Sequence, residues 1–235
     1  MKNKIGLFYV ELGQEGLRDL AHECIKQAKR VIPDVHIMQF TNKREREALP
    51  LIDECRRLDL NGMGLMEARI HFYSKCNEEI LLIDPDVWIQ SDPFQVFDKT
   101  VYGDFDVALT KRAESDRLIV KDDGQHAQLL EKGNAAPQMP YNTGVIFSRN
   151  PEFWSHVLMM MRTMTIHDRN WFGDQVAVKQ VAQSGRFDVL DLPCSQYNYS
   201  PAAKAEDVSD KIMVHYKGKR KEWMLNRAKR ELIDV

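Results

Sequence analysis

Apolar positions along this chain alternate between short runs and stripes at helical spacing. Ile5–Val10 is a compact apolar run and predicts a buried strand. From Glu15 to Arg30, Leu17, Leu20, Ala21, Cys24, Ile25 and Ala28 recur on one helical face, the stripe of a helix laid on a sheet. Pro33 and Asp34 break the chain, and Val35–Phe40 reads as a second strand. Strand, helix and strand in such a short stretch spell a parallel βαβ unit.

Thr41–Glu47 is polar and reads as a loop at the carboxyl end of that second strand. Leu65–Tyr73 predicts a helix and Glu79–Ile83 a central strand, with Val87–Ile89 a further short apolar segment. Strands are expected at Val107–Thr110, Val145–Ser148, Phe187–Asp191 and Ile212–Tyr216. Helices are expected at Pro151–Thr165 and Gly173–Gln183, and Trp223–Val235 closes the chain as a basic amphipathic helix. Ala113–Pro140 is irregular and reads equally as a mobile active-site loop or as a surface excursion. Without repeat, low-complexity tract or linker, the pattern predicts one α/β domain over residues 1–235.

Composition narrows the class. With 43% hydrophobic residues in 235, the chain can bury a core without disulfides or a structural metal. A formal charge of −2 gives whole-molecule electrostatics no pull toward nucleic acid or membrane. Cys24, Cys55, Cys76 and Cys194 lie far apart without C-x-x-C spacing, as expected of free thiols in a reducing compartment. The opening MKNKIGLFYVEL lacks a signal-peptide pattern, and no run approaches a membrane span, so a cytoplasmic enzyme is expected.

Four segments carry candidate chemistry. In EEILLIDPDVWIQ an apolar strand ends in Asp84-Pro85-Asp86, at the strand mouth where open α/β sheets bind ligands. Two carboxylates one residue apart there can share a hard cation, and Pro85 stiffens the turn between them. In YNTGVIFSR, Asn142 offers an amide and Gly144 permits close approach; alone, the segment equally suits an ordinary turn into a strand. In WFGDQVAV, Asp174 and Gln175 stand at a helix start, as a helix-terminal acid or as groups beside a ligand. In IMVHYKGKRKEW, His215 ends an apolar strand, and Gly218 and a basic run follow before Trp223.

In order, these segments resemble glycosyltransferase family 8, whose members include glycogenin and bacterial lipopolysaccharide galactosyl- and glucosyltransferases. The resemblance runs from Ile5 to about Trp223. It implies a GT-A, Rossmann-like, mostly parallel sheet flanked by helices, with a donor-binding half over about 1–110 and an acceptor- and metal-completing half over about 111–235. It implies that Asp84, Asp86 and His215 ligate Mn²⁺, with Mg²⁺ as the alternative. Gly218 and Lys221 match diphosphate-contacting positions, and Lys221 would offset charge on the leaving nucleoside diphosphate. Arg69 matches an arginine that reaches donor sugar or phosphate. Asn142, Asp174 and Gln175 match positions around the donor sugar, with Asp174 or Gln175 an alternative transient nucleophile. Tyr9 is a candidate for stacking on the base and equally a core tyrosine.

The implied reaction moves a hexose-type sugar from a UDP-sugar to an acceptor hydroxyl with retention, the acceptor being a glycan, a lipid-linked sugar or another hydroxyl compound. The chain departs from the family at Glu222, where proline is common, and at Val176 and Lys179, where an acid and an asparagine are usual, so its sugar pocket differs. Three rival readings remain, the plainest being a non-catalytic binding protein that kept the fold, against which the metal ligands and Lys221 are all present. A sugar-nucleotide nucleotidyltransferase shares the sheet, but VELGQEG lacks that class's basic phosphate loop. A nucleic-acid-modifying glycosyltransferase, or one held at an anionic membrane surface, would use the cations Lys211, Lys217, Lys219, Arg220, Lys221, Arg227, Lys229 and Arg230, interrupted by Glu222 alone.

Overall fold

The computed structural model describes residues 2–10, 17–42, 48–60, 62–113, 136–166, 168–169 and 172–232. The loop expected at Thr41–Glu47 and the irregular stretch Ala113–Pro140 fall largely outside these residues, as do the first residues of the helix expected from Glu15.

In chain order the elements are β1 (Lys4–Phe8), α1 (Leu17–Val31), β2 (His36–Asn42), β3 (Glu54–Leu58), α2 (Leu65–Tyr73), β4 (Ile80–Ile83) and β5 (Val87–Ile89). There follow α3 (Lys99–Tyr102), β6 (Val107–Lys111), β7 (Tyr141–Ser148), α4 (Pro151–Thr163), α5 (Gly173–Ala182), β8 (Val189–Pro193), α6 (Cys194–Tyr197), β9 (Met213–His215) and α7 (Lys221–Glu231). Seven strands form one sheet in the order β3-β2-β1-β4-β7-β6-β8, and β5 and β9 form a second, two-stranded sheet. β1 pairs in parallel with β2 and with β4, as the βαβ reading expects. β7 runs antiparallel to both β4 and β6.

Each central strand divides its side chains between two apolar layers, because successive residues of a strand face opposite ways. Ile5, Leu7 and Tyr9 with Leu81 and Ile83 pack on the α1 side, joined by Trp88, Val214 and Met224. Phe8 and Val10 with Ile80 and Leu82 pack on the other side, with Phe72 of α2, Trp154 of α4 and Val178 of α5. Burying each such side chain contributes about 1.5–3 kcal/mol, which makes β4, buried at all four residues, the anchor of the sheet. Asn150 caps α4 by accepting from the Glu152 amide, and Pro151 starts the helix.

Two differences from the sequence reading have physical causes. β3, ECRRL, is an edge strand with exposed and half-buried side chains, held by Arg56 donating to Glu54 and Glu78, so it shows no apolar alternation. β7 begins at Tyr141, four residues before the expected Val145, so N-T-G lies inside a fully buried strand rather than in a turn leading to it. The other expected elements appear with ends displaced by a few residues, as at β8 and β9. No helix among the described residues is long and apolar enough to cross a membrane.

Candidate active site

The site forms where β4 ends. The Asp84 amide donates to the Gly144 carbonyl at 2.9 Å, tying the Asp84-Pro85-Asp86 turn to β7. The chain then enters β5, whose Val87 lies opposite His215 of β9. That register places Asp86 Oδ1 3.0 Å and Asp84 Oδ2 3.8 Å from His215 Nε2. One ligand atom from each of the three residues lies within 4.8 Å of the others, within reach of a single divalent cation.

Neighbouring groups fix the histidine ring in place. Asn198 Nδ2 donates to Thr110 Oγ1 at 2.8 Å and to the Asn142 carbonyl at 3.3 Å, which turns its Oδ1 toward His215 Nδ1 at 2.8 Å. Nδ1 therefore carries a proton, which leaves Nε2, the nitrogen beside the two carboxylates, as the atom a metal would bind. Gly144 completes the fit. A Cβ there would lie 2.3 Å from His215 Cε1 and 3.0 Å from Asp84 Oδ2, so only glycine lets β7 pass beneath the ring. Two carboxylates and an imidazole with this tautomer suit a divalent transition metal.

Arg69, on α2, is 5% exposed and its guanidinium reaches inward. It donates to Asp84 Oδ1 at 2.8 Å, to Thr143 Oγ1 at 2.6 Å and to Asp174 Oδ2. Asp174 is wholly buried, and Thr143 donates to the same Oδ2 at 2.9 Å. A buried charge needs a charged partner, and here Arg69 serves two carboxylates. Desolvation and these neighbours act together: burial pushes the Asp84 carboxyl up, against the opposing pull of the Arg69 guanidinium. Burial also opposes ionisation of Asp86, but His215 and Lys221 outweigh it and hold that carboxyl below its ordinary range.

Gly218 has φ +64°, the left-handed conformation that favours glycine, and opens the single turn Gly218–Arg220 leading into α7. The turn delivers Lys221 to 3.7 Å from Asp86 Oδ2. Lys217, just before it, is partly buried; desolvation, with Arg112 and Arg220 nearby, draws its ammonium pKa down.

Two cavities meet here. One of about 350 Å³ is lined by Phe8, Val10, Arg69, Asp84, Asp86, His215, Gly218 and Lys221. A wider one of about 730 Å³ is lined by Lys111, Arg112, Asp191, Tyr199 and Ser200. Asn142, Phe172, Gln175 and Lys217 border both.

The sequence-predicted residues thus come together with two exceptions. Tyr9 is 2% exposed in the α1-side layer, and it is Phe8 and Val10 that face the narrower cavity. Asp174 lines neither cavity and lies behind Arg69, whereas Gln175 lines both and accepts from Arg112 at 2.9 Å. Sequence reasoning missed Thr110, Thr143, Asn198 and Arg112, and named Lys217 only as one cation of the basic run. Thr143 lay inside the quoted N-T-G, and Lys217 inside the quoted basic run; Asn198 has no local pattern to mark it. Much of that basic run has partners within the fold: Lys211 pairs with Asp210, Arg220 donates to the Pro201 carbonyl, and Arg227 pairs with Glu231.

No family model matches the chain, and no curated protein matches it. Solved structures do. The galactosyltransferase LgtC, solved with donor and acceptor sugar analogs, superposes with TM-score 0.60 at 14% identity, over 97% of this chain and 94% of that one. A glycosyltransferase involved in glycosylation of the major capsid of PBCV-1 gives 0.58 at 15% identity, over 96% and 98%. Mouse xyloside xylosyltransferase 1 gives 0.56 at 13% identity, over 92% and 97%. The chain has the GT-A, Rossmann-like fold of these proteins. At such identities the likeness is one of fold.

Proposed function

We propose that this protein is a metal-dependent glycosyltransferase, moving a hexose-type sugar from a nucleoside diphosphate donor, UDP by resemblance to family 8, to an acceptor hydroxyl. One observation carries the reading. Asp84, Asp86 and a tautomer-fixed His215 converge beside Lys221 on a cavity at the carboxyl end of β4, in a fold that neighbouring structures use for sugar transfer.

Asp84, Asp86 and His215 would hold Mn²⁺, or Mg²⁺, whose charge would screen the donor's diphosphate. Arg69 holds Asp84 in place and, by pairing with Asp174 as well, keeps these two carboxylates from repelling one another. Lys221 stabilises negative charge as the glycosidic bond breaks and the nucleoside diphosphate departs. Gly218 sets the turn that brings Lys221 there. Asn142 and Gln175, bordering both cavities, flank the sugar at the point of transfer. The acceptor occupies the wider cavity.

Retention follows from the resemblance to family 8, with the acceptor hydroxyl attacking the face the diphosphate leaves and its proton passing to a leaving phosphate oxygen. Asp174, enclosed behind Arg69, acts as a positioning residue rather than a nucleophile.

Donor hydrolysis tests the reading without the acceptor. Purified protein is incubated with UDP- and GDP-sugars and Mn²⁺, or with chelator, and nucleoside diphosphate release is followed. One donor is expected to turn over with Mn²⁺ and not with chelator, and Asp86→Ala is expected to lower that rate at least about a hundredfold. Near-native hydrolysis by Asp86→Ala would remove the metal assignment; no release from any donor would remove the reaction.

A further inference from the structure

The cations around the two cavities are almost all committed. Arg69 is held by Asp84, Asp174 and Thr143, and Lys221 faces Asp86. Lys111 pairs with Asp191, and Arg112 is engaged by Gln175 and by the Met139 and Tyr141 carbonyls. Lys217 differs: its ammonium has no hydrogen-bond or ion-pair partner among the described residues.

Its place is nonetheless fixed. The preceding Tyr216 amide donates to the Asp86 carbonyl at 2.9 Å, and the Lys217 carbonyl accepts from Arg220. The backbone is extended there, with φ −65° and ψ 150°, and the side chain lines the seam where the cavities join. Asp191 is the one carboxylate among the described residues lining the wider cavity, and it is already answered by Lys111 and by the Tyr141 hydroxyl at 3.0 Å. A partly buried ammonium without an acceptor is costly, and an anionic ligand group removes that cost.

Resting on the sugar-transfer reading above, we propose that the wider cavity takes an acceptor bearing an oxyanion, a phosphate or a carboxylate, recognised by Lys217. Because Lys217 shares the seam with Asn142 and Gln175, the anionic group belongs to the accepting sugar or its immediate neighbour. A neutral acceptor leaves the ammonium unanswered and binds more weakly. The donor diphosphate has its own cation in Lys221, so the two lysines divide the ligands between them.

Calorimetric titration of the protein saturated with UDP and Mn²⁺ tests this, using sulfate as the phosphate probe and acetate as the carboxylate probe. At least one probe is expected to bind, and the comparison between them says which oxyanion the cavity prefers. Lys217→Met is expected to weaken that binding at least tenfold while UDP affinity falls less than threefold, and Lys217→Arg to keep most of it. Lys217→Gln serves if the methionine variant does not fold. Binding of neither probe, or unchanged binding in the variant, overturns the inference alone. A loss of UDP affinity as large as the loss of probe affinity assigns Lys217 to the donor and also overturns it. Failure of UDP to bind the wild-type protein removes the sugar-transfer reading, and this inference with it.

Discussion

Gly144 shows how tightly one residue binds the chemistry to the packing. Its missing side chain is the space that His215 occupies, and His215, 4% exposed and held by Asn198, has nowhere to retreat. Gly144→Ala drives a methyl group into the imidazole, which is expected to cost about 1–3 kcal/mol of stability by overpacking. Turning the ring away from the carboxylates is expected to weaken Mn²⁺ binding by about 10–100-fold. Urea denaturation and a Mn²⁺ titration measure the two effects. Native stability with native Mn²⁺ affinity would show that the contact is not tight.

At the level of elements, β6 and β7 hold the histidine's support in place through one hydroxyl. Thr110 Oγ1, beside the register shift between Leu109 and Thr110, donates to the Asn142 carbonyl at 2.8 Å and accepts from Asn198. Thr110→Val keeps the shape and removes both bonds, and is expected to cost about 1–3 kcal/mol through the buried groups left unsatisfied. Asn198 Nδ2 then keeps only its longer bond to the Asn142 carbonyl, so Mn²⁺ affinity is expected to fall with the stability. A stability loss with unchanged Mn²⁺ affinity would separate Thr110 from the orientation of His215.

The same elements show what a sequence reveals. β4 was readable because Ile80–Ile83 is buried on both faces and therefore continuously apolar. β3 was not, because an edge strand can be built from charged residues such as Glu54 and Arg56, which pair with each other and with Glu78, so no apolar alternation marks it. Asp84, Asp86 and His215 stood out because each ends or follows an apolar strand. Asn198 did not, because its role comes only from β6, β7 and β9 meeting around it.

For the molecule as a whole, ligand and fold are linked. A ligand that binds only the folded state stabilises it, by about 2.7 kcal/mol at a hundred times its dissociation constant. For a domain of this size, UDP with Mn²⁺ at that level is expected to raise Tm by roughly 5–10 °C, each kcal/mol shifting Tm by about 2–4 °C. Differential scanning fluorimetry reads the shift, and chelator is expected to abolish it. A shift that survives chelation would mean that the nucleotide binds without the cation.

The small sheet of β5 and β9 has a consequence in time. Its two strands are far apart in the sequence, so that Asp84 and Asp86 leave the ribosome well before His215 and Lys221. Until β9 docks, the carboxylates face no imidazole and Lys221 is not yet in place. A nascent chain therefore carries the first βαβ unit and a central strand, but not yet the Asp84, Asp86 and His215 cluster. Under the function proposed above, a half-made chain would neither hold the metal nor engage the donor until β9 docks.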